Sequence, residues 1–226
     1  MLGLGSSITK SGAGAKTIIT DNLVLKHDYN AGQVQQVSTG AAFFDGTDDY
    51  INTGVTFQST LRDSFSISTW IKAFDGIPSS EETILGTTNN PVEDGIRVDV
   101  LTDGKLRFAF ESNNDLSYIT TDSAYFSNGV TDWTHIACTA TKGGSGDTAL
   151  VMYVNGVAVA TTLTGATTVA NHALYTSSIN LLIGARMNDT TVERFFNGYI
   201  CNVGIWGAAL SQAEVKSIWY KKYADL

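Results

Sequence analysis

The sequence predicts an all-β chain, a two-sheet antiparallel jelly-roll sandwich with one short C-terminal helix. Three observations carry this. Apolar residues alternate over many short runs, the period of strands half-buried in a sheet. Those runs are separated by Asp-Gly and Asn-Gly turn pairs, in a chain of 226 residues with 22 glycines and two prolines. Helical spacing with a capping signal occurs once, close to the C-terminus.

In chain order, residues 1–20 form a Gly/Ser-rich arm and residues 21–226 a single domain. The arm carries only spaced apolar residues, Leu2, Leu4, Ile8, Ile18 and Ile19, too few to build a core alone. They are expected to contact a neighbouring subunit. LVLKHDY (23–29) is a candidate strand. AAFFDGTDDYINTG (41–54) reads as two short strands around an Asp-Gly turn. In FSISTWIKAF (65–74), Phe65, Ile67 and Ile71 share one face and Trp70 takes the other. GIRVDVLTDGKLRFAFES (95–112) reads as a hairpin. Ile96, Val98 and Val100 share one face of its first strand, and Leu106, Phe108 and Phe110 one face of its second. DWTHIACTAT (132–141) follows. In ALVMYVNGVAVATTL (149–163), Asn155-Gly156 between alternating runs is the strongest short-range hairpin signal of the chain. Its LVMYV stretch is apolar on both faces, so it belongs in mid-sandwich or beneath a helix or loop. INLLIGAR (179–186) and GYICNVGIW (198–206) complete about a dozen strands. Ser211-Gln212-Ala213-Glu214 is a capping box, and Val215, Ile218 and Trp219 follow at helical spacing, ready to lie on the sandwich.

Composition limits the partners. Charged residues make up 16% of the chain and its net charge is −8. The surface must be built mainly from Thr, Ser, Asn and Gly. An acidic surface with no basic stripe argues against nucleic acid. No apolar run approaches the ~20 residues that cross a bilayer, so no membrane insertion is expected. The N-terminus lacks the basic start and apolar core of a signal peptide, which points to synthesis in a cytoplasm. Cys138 and Cys201 have no metal-ligand spacing. Each sits in an apolar strand as a buried free thiol would, and a disulfide between them is the alternative.

Six pieces occurring in order, FDGTDDYI (44–51), SISTWIK (66–72), WTHIACT (133–139), MYVNGV (152–157), LLIGAR (181–186) and FNGYICNVGIWGAALSQAEV (196–215), resemble the laminin G-like branch of the concanavalin A-like lectin and glucanase jelly rolls. The resemblance implies the sandwich fold and a range of roles, from glycan binding and adhesion to glycan cleavage. It also implies a structural calcium near the FDG turn, assisted by an acidic residue on the penultimate strand. That position is Cys201 here, followed by Asn202, and a thiol is a poor ligand for a hard cation. Asp45, Asp48 and Asp49 remain as oxygen donors. The alternative is that Asp45 and Gly46 form the turn while Asp48 and Asp49 are solvated or bond local backbone. No cofactor is expected otherwise. The opening LGLGSSITKSG resembles virion proteins of marine bacteriophages, which implies a decoration or tail protein exported by lysis. Its partners would be other virion proteins and copies of itself.

Glycan hydrolysis needs two opposed carboxylates. The related glucanases carry theirs along one strand, and no such array occurs here. Glu81 and Glu82 are adjacent, and Asp99 alternates with valines. His135 falls in the WTHIA stretch and reads as structural. His27 and His172 have no nucleophile beside them by motif, and no phosphate-cradling glycine loop is present. No enzyme is therefore expected. Two non-catalytic roles remain: a structural or decoration protein of a phage particle, docked by its arm, and a lectin-like module for cell-surface glycans. For the second, Tyr118, Tyr125, Tyr175, Asn113, Asn114 and Asn188 are the candidate rim residues.

Overall fold

The computed structural model describes residues 23–27, 40–90, 95–112, 115–142, 148–165 and 177–219. The arm residues Leu2, Leu4, Ile8, Ile18 and Ile19, and the rim candidates Asn113, Asn114 and Tyr175, lie outside them.

Two seven-stranded sheets face each other. The first contains β1 (Leu23–His27), β2 (Ala42–Asp45), β4 (Phe65–Ala73), β10 (Thr134–Lys142), β11 (Thr148–Val154), β12 (Val157–Ala158) and β17 (Asn197–Trp206). Its order is β1-β17-β4-β10-β11-β12, with β2 also paired to β17. The second contains β3 (Ile51–Asn52), β5 (Glu82–Gly86), β7 (Gly95–Val100), β8 (Leu106–Ser112), β9 (Asp115–Thr121), β13 (Thr161–Gly165) and β14 (Leu182–Ile183). Its order is β13-β9-β8-β7-β5-β14-β3. A three-stranded ribbon joins β6 (Asn89–Asn90), β15 (Arg186–Asn188) and β16 (Thr191–Glu193).

The alternation in the sequence becomes the core. Phe65, Ile67 and Ile71 of β4, Ile136, Cys138 and Ala140 of β10, and Ile200, Val203 and Ile205 of β17 are buried. They meet Ile96, Val98 and Val100 of β7 and Leu106, Phe108 and Phe110 of β8 in one cluster. The Phe65 ring joins the layers, edge-on to Phe108 at 6.3 Å and tilted on Phe110 at 6.0 Å. The 95–112 hairpin has the expected register, with Val100 opposite Leu106 and Ile96 opposite Phe110. Asn155 and Gly156 both have positive φ, +50° and +76°. That is the twist a two-residue hairpin turn requires, and Asn and Gly tolerate it best.

Several elements differ from expectation. The two strands around Asp45-Gly46 form, but β2 pairs with β17 and β3 with β14. The turn therefore carries the chain from one sheet to the other. The described residues hold seventeen strands rather than a dozen, because two- and three-residue pieces join ladders too briefly to leave a periodic signal. A single helical turn, α1 (Gln58–Leu61), follows Phe57, which has φ +52°. GYICNVGIW is one strand interrupted by a bulge between Cys201 and Gly204, where Asn202 takes φ +53°.

The C-terminal helix α2 (Gln212–Trp219) is capped as its sequence implies. The Glu214 amide donates to Ser211 Oγ at 3.4 Å, and Glu214 Oε2 accepts from the Ser211 amide at 2.7 Å. Val215 packs with Ala137, Tyr153, Trp206 and Leu210 on the outer side of the first sheet. This is why LVMYV is apolar on both faces: Met152 and Val154 meet the sandwich core while Tyr153 lies under the helix.

Glu82 ties the layers together at one end. It lies opposite Val100, is 8% exposed, and accepts from the Asn197 amide of β17 at 3.1 Å. Burial raises its pKa to about 7. The Asn197 hydrogen bond works against that rise and Asp75 adds to it.

Candidate functional site

The segment between β9 and β10 crosses from the second sheet to the first and builds a groove. It is held at several points. The amides of Tyr125 and Phe126 both donate to the Gly104 carbonyl, at 2.8 and 3.0 Å. The Gly129 amide donates to Asp75 Oδ1 at 3.1 Å, and the Gly76 amide to the Gly129 carbonyl at 2.9 Å. Phe126 is buried beneath it. Such close backbone approach needs glycine. A Cβ on Gly104, whose φ is +77°, would lie 2.4 Å from the Phe126 carbonyl oxygen, and one on Gly76 would lie 2.4 Å from that of Ser127.

The groove encloses about 350 Å³ and is lined by Tyr125, Ser127, Val130, Thr131, Asp132, Trp133 and Asn155, among others. Its polar groups are pre-oriented. Asn155 Oδ1 accepts from the His135 amide at 3.0 Å, and Asn155 Nδ2 donates to the Tyr125 hydroxyl at 3.2 Å. Because that hydroxyl already accepts, its own proton is free to point into the groove. Burial raises the Tyr125 pKa, with the Asn155 hydrogen bond opposing, so the phenol stays protonated and remains a donor. Tyr125 is 39% exposed. Trp133 is half-buried and rests on Tyr199 at 6.1 Å. Two aromatic rings, several hydroxyls and one carboxylate, Asp132, thus surround a preformed concavity.

The outer face of the second sheet holds an ion-pair network. Asp99 Oδ2 accepts from Arg107 Nε at 2.9 Å, and Thr83 Oγ1 donates to Asp99 Oδ1 at 2.8 Å. Arg107 also makes a two-pronged contact to Glu81 at 3.1 and 2.9 Å. Burial opposes the charge on Arg107, but Asp99 and Glu81 outweigh it and hold its pKa above the ordinary value. Burial likewise works to raise the Glu81 pKa, but the Arg107 pairing prevails and lowers it. Arg97 Nε lies 3.3 Å from Asp99 Oδ2 without making a hydrogen bond, and burial lowers the Arg97 pKa. Arg186 binds Glu193 Oε1 at 2.8 Å. Of the carboxylates weighed for catalysis, Glu81 and Asp99 are therefore occupied by guanidinium groups, whereas Glu82 accepts from the Asn197 amide. Beside the network, a trough of about 360 Å³ runs along Lys105, Tyr118, Thr120, Asp122, Thr162 and Thr164, with the Arg107 guanidinium 5.8 Å from the Tyr118 ring.

The described rim residues thus fall in three places. Tyr125 lines the groove, Tyr118 lines the trough, and Asn188 lies in the ribbon, where its Nδ2 donates to Glu193 Oε2 at 3.1 Å. They are not one site. His135 is structural, as expected. It is fully buried, its Nε2 lies 2.8 Å from Ser68 Oγ, and burial lowers its pKa to about 3. Cys138 and Cys201 are buried and form no disulfide, and burial pushes the Cys138 thiol up. They lie on β10 and β17, with β4 between them.

Asp45, Asp48 and Asp49 do cluster, with ligand oxygens within 4.8 Å of one another. All three are exposed, and they already serve the turn. Asp45 Oδ1 accepts from the Thr47 and Asp48 amides at 2.8 and 3.4 Å, and Asp49 Oδ2 from the Asp45 amide at 3.2 Å. Across the ladder Asp45 meets Asn197, whereas Cys201 lies opposite Trp70, further along β17. β17, the last strand among the described residues, thus brings neither a carboxylate nor Cys201 to this turn, and these residues do not reproduce the calcium site that the resemblance implies.

Sequence reasoning missed Asp132, Trp133 and Asn155 as groove residues. Trp133 reads as the start of a strand and Asn155 as a turn former. Their convergence with Tyr125 depends on where the β9–β10 segment lands.

Comparison with known proteins agrees with this fold. Residues 45–216 match the family model described as the concanavalin A-like lectin/glucanases superfamily, of the laminin G type. Comparison with curated protein sequences gave no match. Among solved structures, the CBM40 of the Ruminococcus gnavus IT-sialidase superimposes with a TM-score of 0.58 at 12% identity, covering 80% of this chain and 98% of that one. The receptor-binding domain of botulinum neurotoxin mosaic serotype C/D gives 0.57 at 14% identity, over 88% of this chain and 45% of that one. The heptameric SAP-like pentraxin of Limulus polyphemus gives 0.52 at 17% identity, over 79% and 81%. At these identities the likeness concerns the fold. With the family model spanning most of the domain, the chain belongs to the concanavalin A-like lectin/glucanases superfamily.

Proposed function

We propose that this protein is a non-catalytic, carbohydrate-binding module whose ligand enters the Tyr125–Trp133–Asn155 groove. The observation that carries the reading is a preformed concavity in which a donor-oriented phenol, an indole and a carboxylate converge. Aromatic rings offer apolar faces to the C–H side of a sugar ring, and Tyr125, Ser127, Thr131 and Asp132 offer partners to its hydroxyls. The groove has one carboxylate, whereas glycan hydrolysis needs two. The R. gnavus CBM40 has been solved with α2,3-sialyllactose bound. An acidic sugar is disfavoured in the groove, because its lining carries the Asp132 carboxylate and no lysine or arginine. The ligand class is therefore a neutral glycan. A printed glycan array, probed with the wild type and with Tyr125→Ala, tests this. Saturable binding to neutral glycans that weakens at least tenfold in the variant is expected. No saturable binding, or binding untouched by the substitution, refutes it.

Carriage on a phage particle is a separate proposal, motivated by the N-terminal sequence rather than by the fold. It expects deletion of residues 2–20 to leave a folded domain that no longer enters particles. Incorporation of the truncated protein would sink it.

A further inference from the structure

The groove does not end at Trp133. On its outer face by register, the first sheet carries a row of side chains at right angles to its strands, of which Trp133 and Tyr199 also pack against the main buried cluster. Phe43 of β2 lies opposite Tyr199 of β17, and Tyr199 lies opposite Lys72 of β4. Thr134 pairs with Ile71, which places Trp133 beside Lys72. Phe74 stands next to this row. The rings brace one another, with centroids 5.5 Å apart for Phe43–Tyr199, 5.4 Å for Phe74–Tyr199, 5.6 Å for Phe43–Phe74 and 6.1 Å for Trp133–Tyr199. Phe43 is 36% exposed, and the other three are partly exposed. Contiguous, partly exposed aromatic surface of this kind marks a contact site.

Building on the groove assignment, we infer that the groove is the terminal subsite of a longer track, and that the ligand is a neutral oligosaccharide chain laid across the first sheet from Trp133 to Phe43. Three strand-to-strand steps of about 4.8 Å give the row a length of roughly 14 Å, enough for several pyranose units beyond the groove. The occupant is argued from Lys72. By register Lys72 stands in the row between Tyr199 and Trp133, and an apolar protein surface pressed there would strip water from its ammonium group without replacement. A hydroxylated chain supplies acceptors to Lys72 and C–H faces to the rings. The continuity of the row with the groove gives the chain its direction.

The test uses neutral gluco-, manno- and galacto-oligosaccharides of one to six units, printed as length series. It is run with wild type, Tyr125→Ala, Phe43→Ser and Tyr199→Ala, each checked for folding by thermal denaturation. Phe43→Ser removes a surface ring and keeps the comparison sound if Tyr199→Ala destabilises the sheet. Wild-type affinity is expected to rise at least tenfold from one unit to four. Phe43→Ser should remove most of that rise while leaving single-unit binding intact. Binding that depends on Tyr125 but is flat with length overturns the track and spares the groove. Binding of no glycan overturns both. Conversion of a wild-type oligomer to a monomer by Phe43→Ser, seen in sedimentation velocity, would instead make the row a self-contact and overturn the track.

Discussion

Replacing Glu82 with Gln should stabilise this protein at alkaline pH and do little in acid. Below pH 4.5 the carboxyl is protonated in both the folded and the unfolded chain, so it imposes no penalty. Between pH 4.5 and about 7 the unfolded chain releases the proton while the folded chain retains it. Stability therefore falls as pH rises through that window, and the full cost is present above it. The rise from 4.5 to about 7 corresponds to about 3 kcal/mol, or about 2 once residual solvent contact is allowed for. His135 works in the opposite direction. Its folded pKa is lowered to about 3, so the stability it contributes is full above pH 6.5 and is lost as pH falls. The wild-type profile alone mixes the two, and the difference between wild type and Glu82→Gln separates them. The glutamine carbonyl still accepts from the Asn197 amide, so the layer contact survives. Thermal denaturation of both proteins at pH 8 and pH 4.5 is the assay. At about 2–4 °C per kcal/mol for a domain of this size, the variant should melt about 4–8 °C higher at pH 8 and within a degree or two of wild type at pH 4.5. An equal displacement at the two pH values, or a lower midpoint at pH 8, would refute the reasoning.

Gly104→Ala places a methyl 2.4 Å from the Phe126 carbonyl at a positive φ. It should cost about 1–3 kcal/mol, read as a lower thermal midpoint, and should weaken glycan binding with it. Arg107→Leu leaves Asp99, whose side chain is 1% exposed, with the Thr83 hydroxyl and the poorly aligned Arg97 as its neighbours. A loss of about 3–5 kcal/mol in urea unfolding is expected, and a near-wild-type midpoint would show the network to be dispensable. Both cysteines are buried thiols outside any disulfide, so the native protein should leave a thiol reagent such as DTNB unreacted, and the unfolded chain should react at two sites. Rapid labelling of the native state would contradict that burial.

Much of this fold is legible in the sequence because its cause is local. The Val98–Phe108 layer follows from alternation, the Asn155 hairpin from two residues that tolerate positive φ, and α2 from the Ser211–Glu214 cap. The sheet change at Asp45-Gly46 is not legible, because the same dipeptide serves a hairpin or a crossover, and the choice is made by β17 and β14. The site was harder to read. Tyr125 and Tyr118 stand on one continuous stretch, yet they face different concavities because the chain leaves the second sheet between them. Asn155 was visible as a turn residue. Its grip on Tyr125 depends on a contact thirty residues distant in sequence, which no periodicity encodes.

Two of the sheet-to-sheet passages have a joint consequence. The turn at Gly46 leads from β2 to β3, which lie at one flank of the stack, and Val159–Ala160 leads from β12 to β13, which lie at the other. The layers are thus stitched by the backbone along both long seams, like a sleeve. Breathing is directed to the open ends of the sleeve, one of which carries the Tyr125 groove, so amide hydrogens of the β9–β10 segment should exchange well before those of β4 and β10. A ligand seated there would brace the β9–β10 crossing at that end.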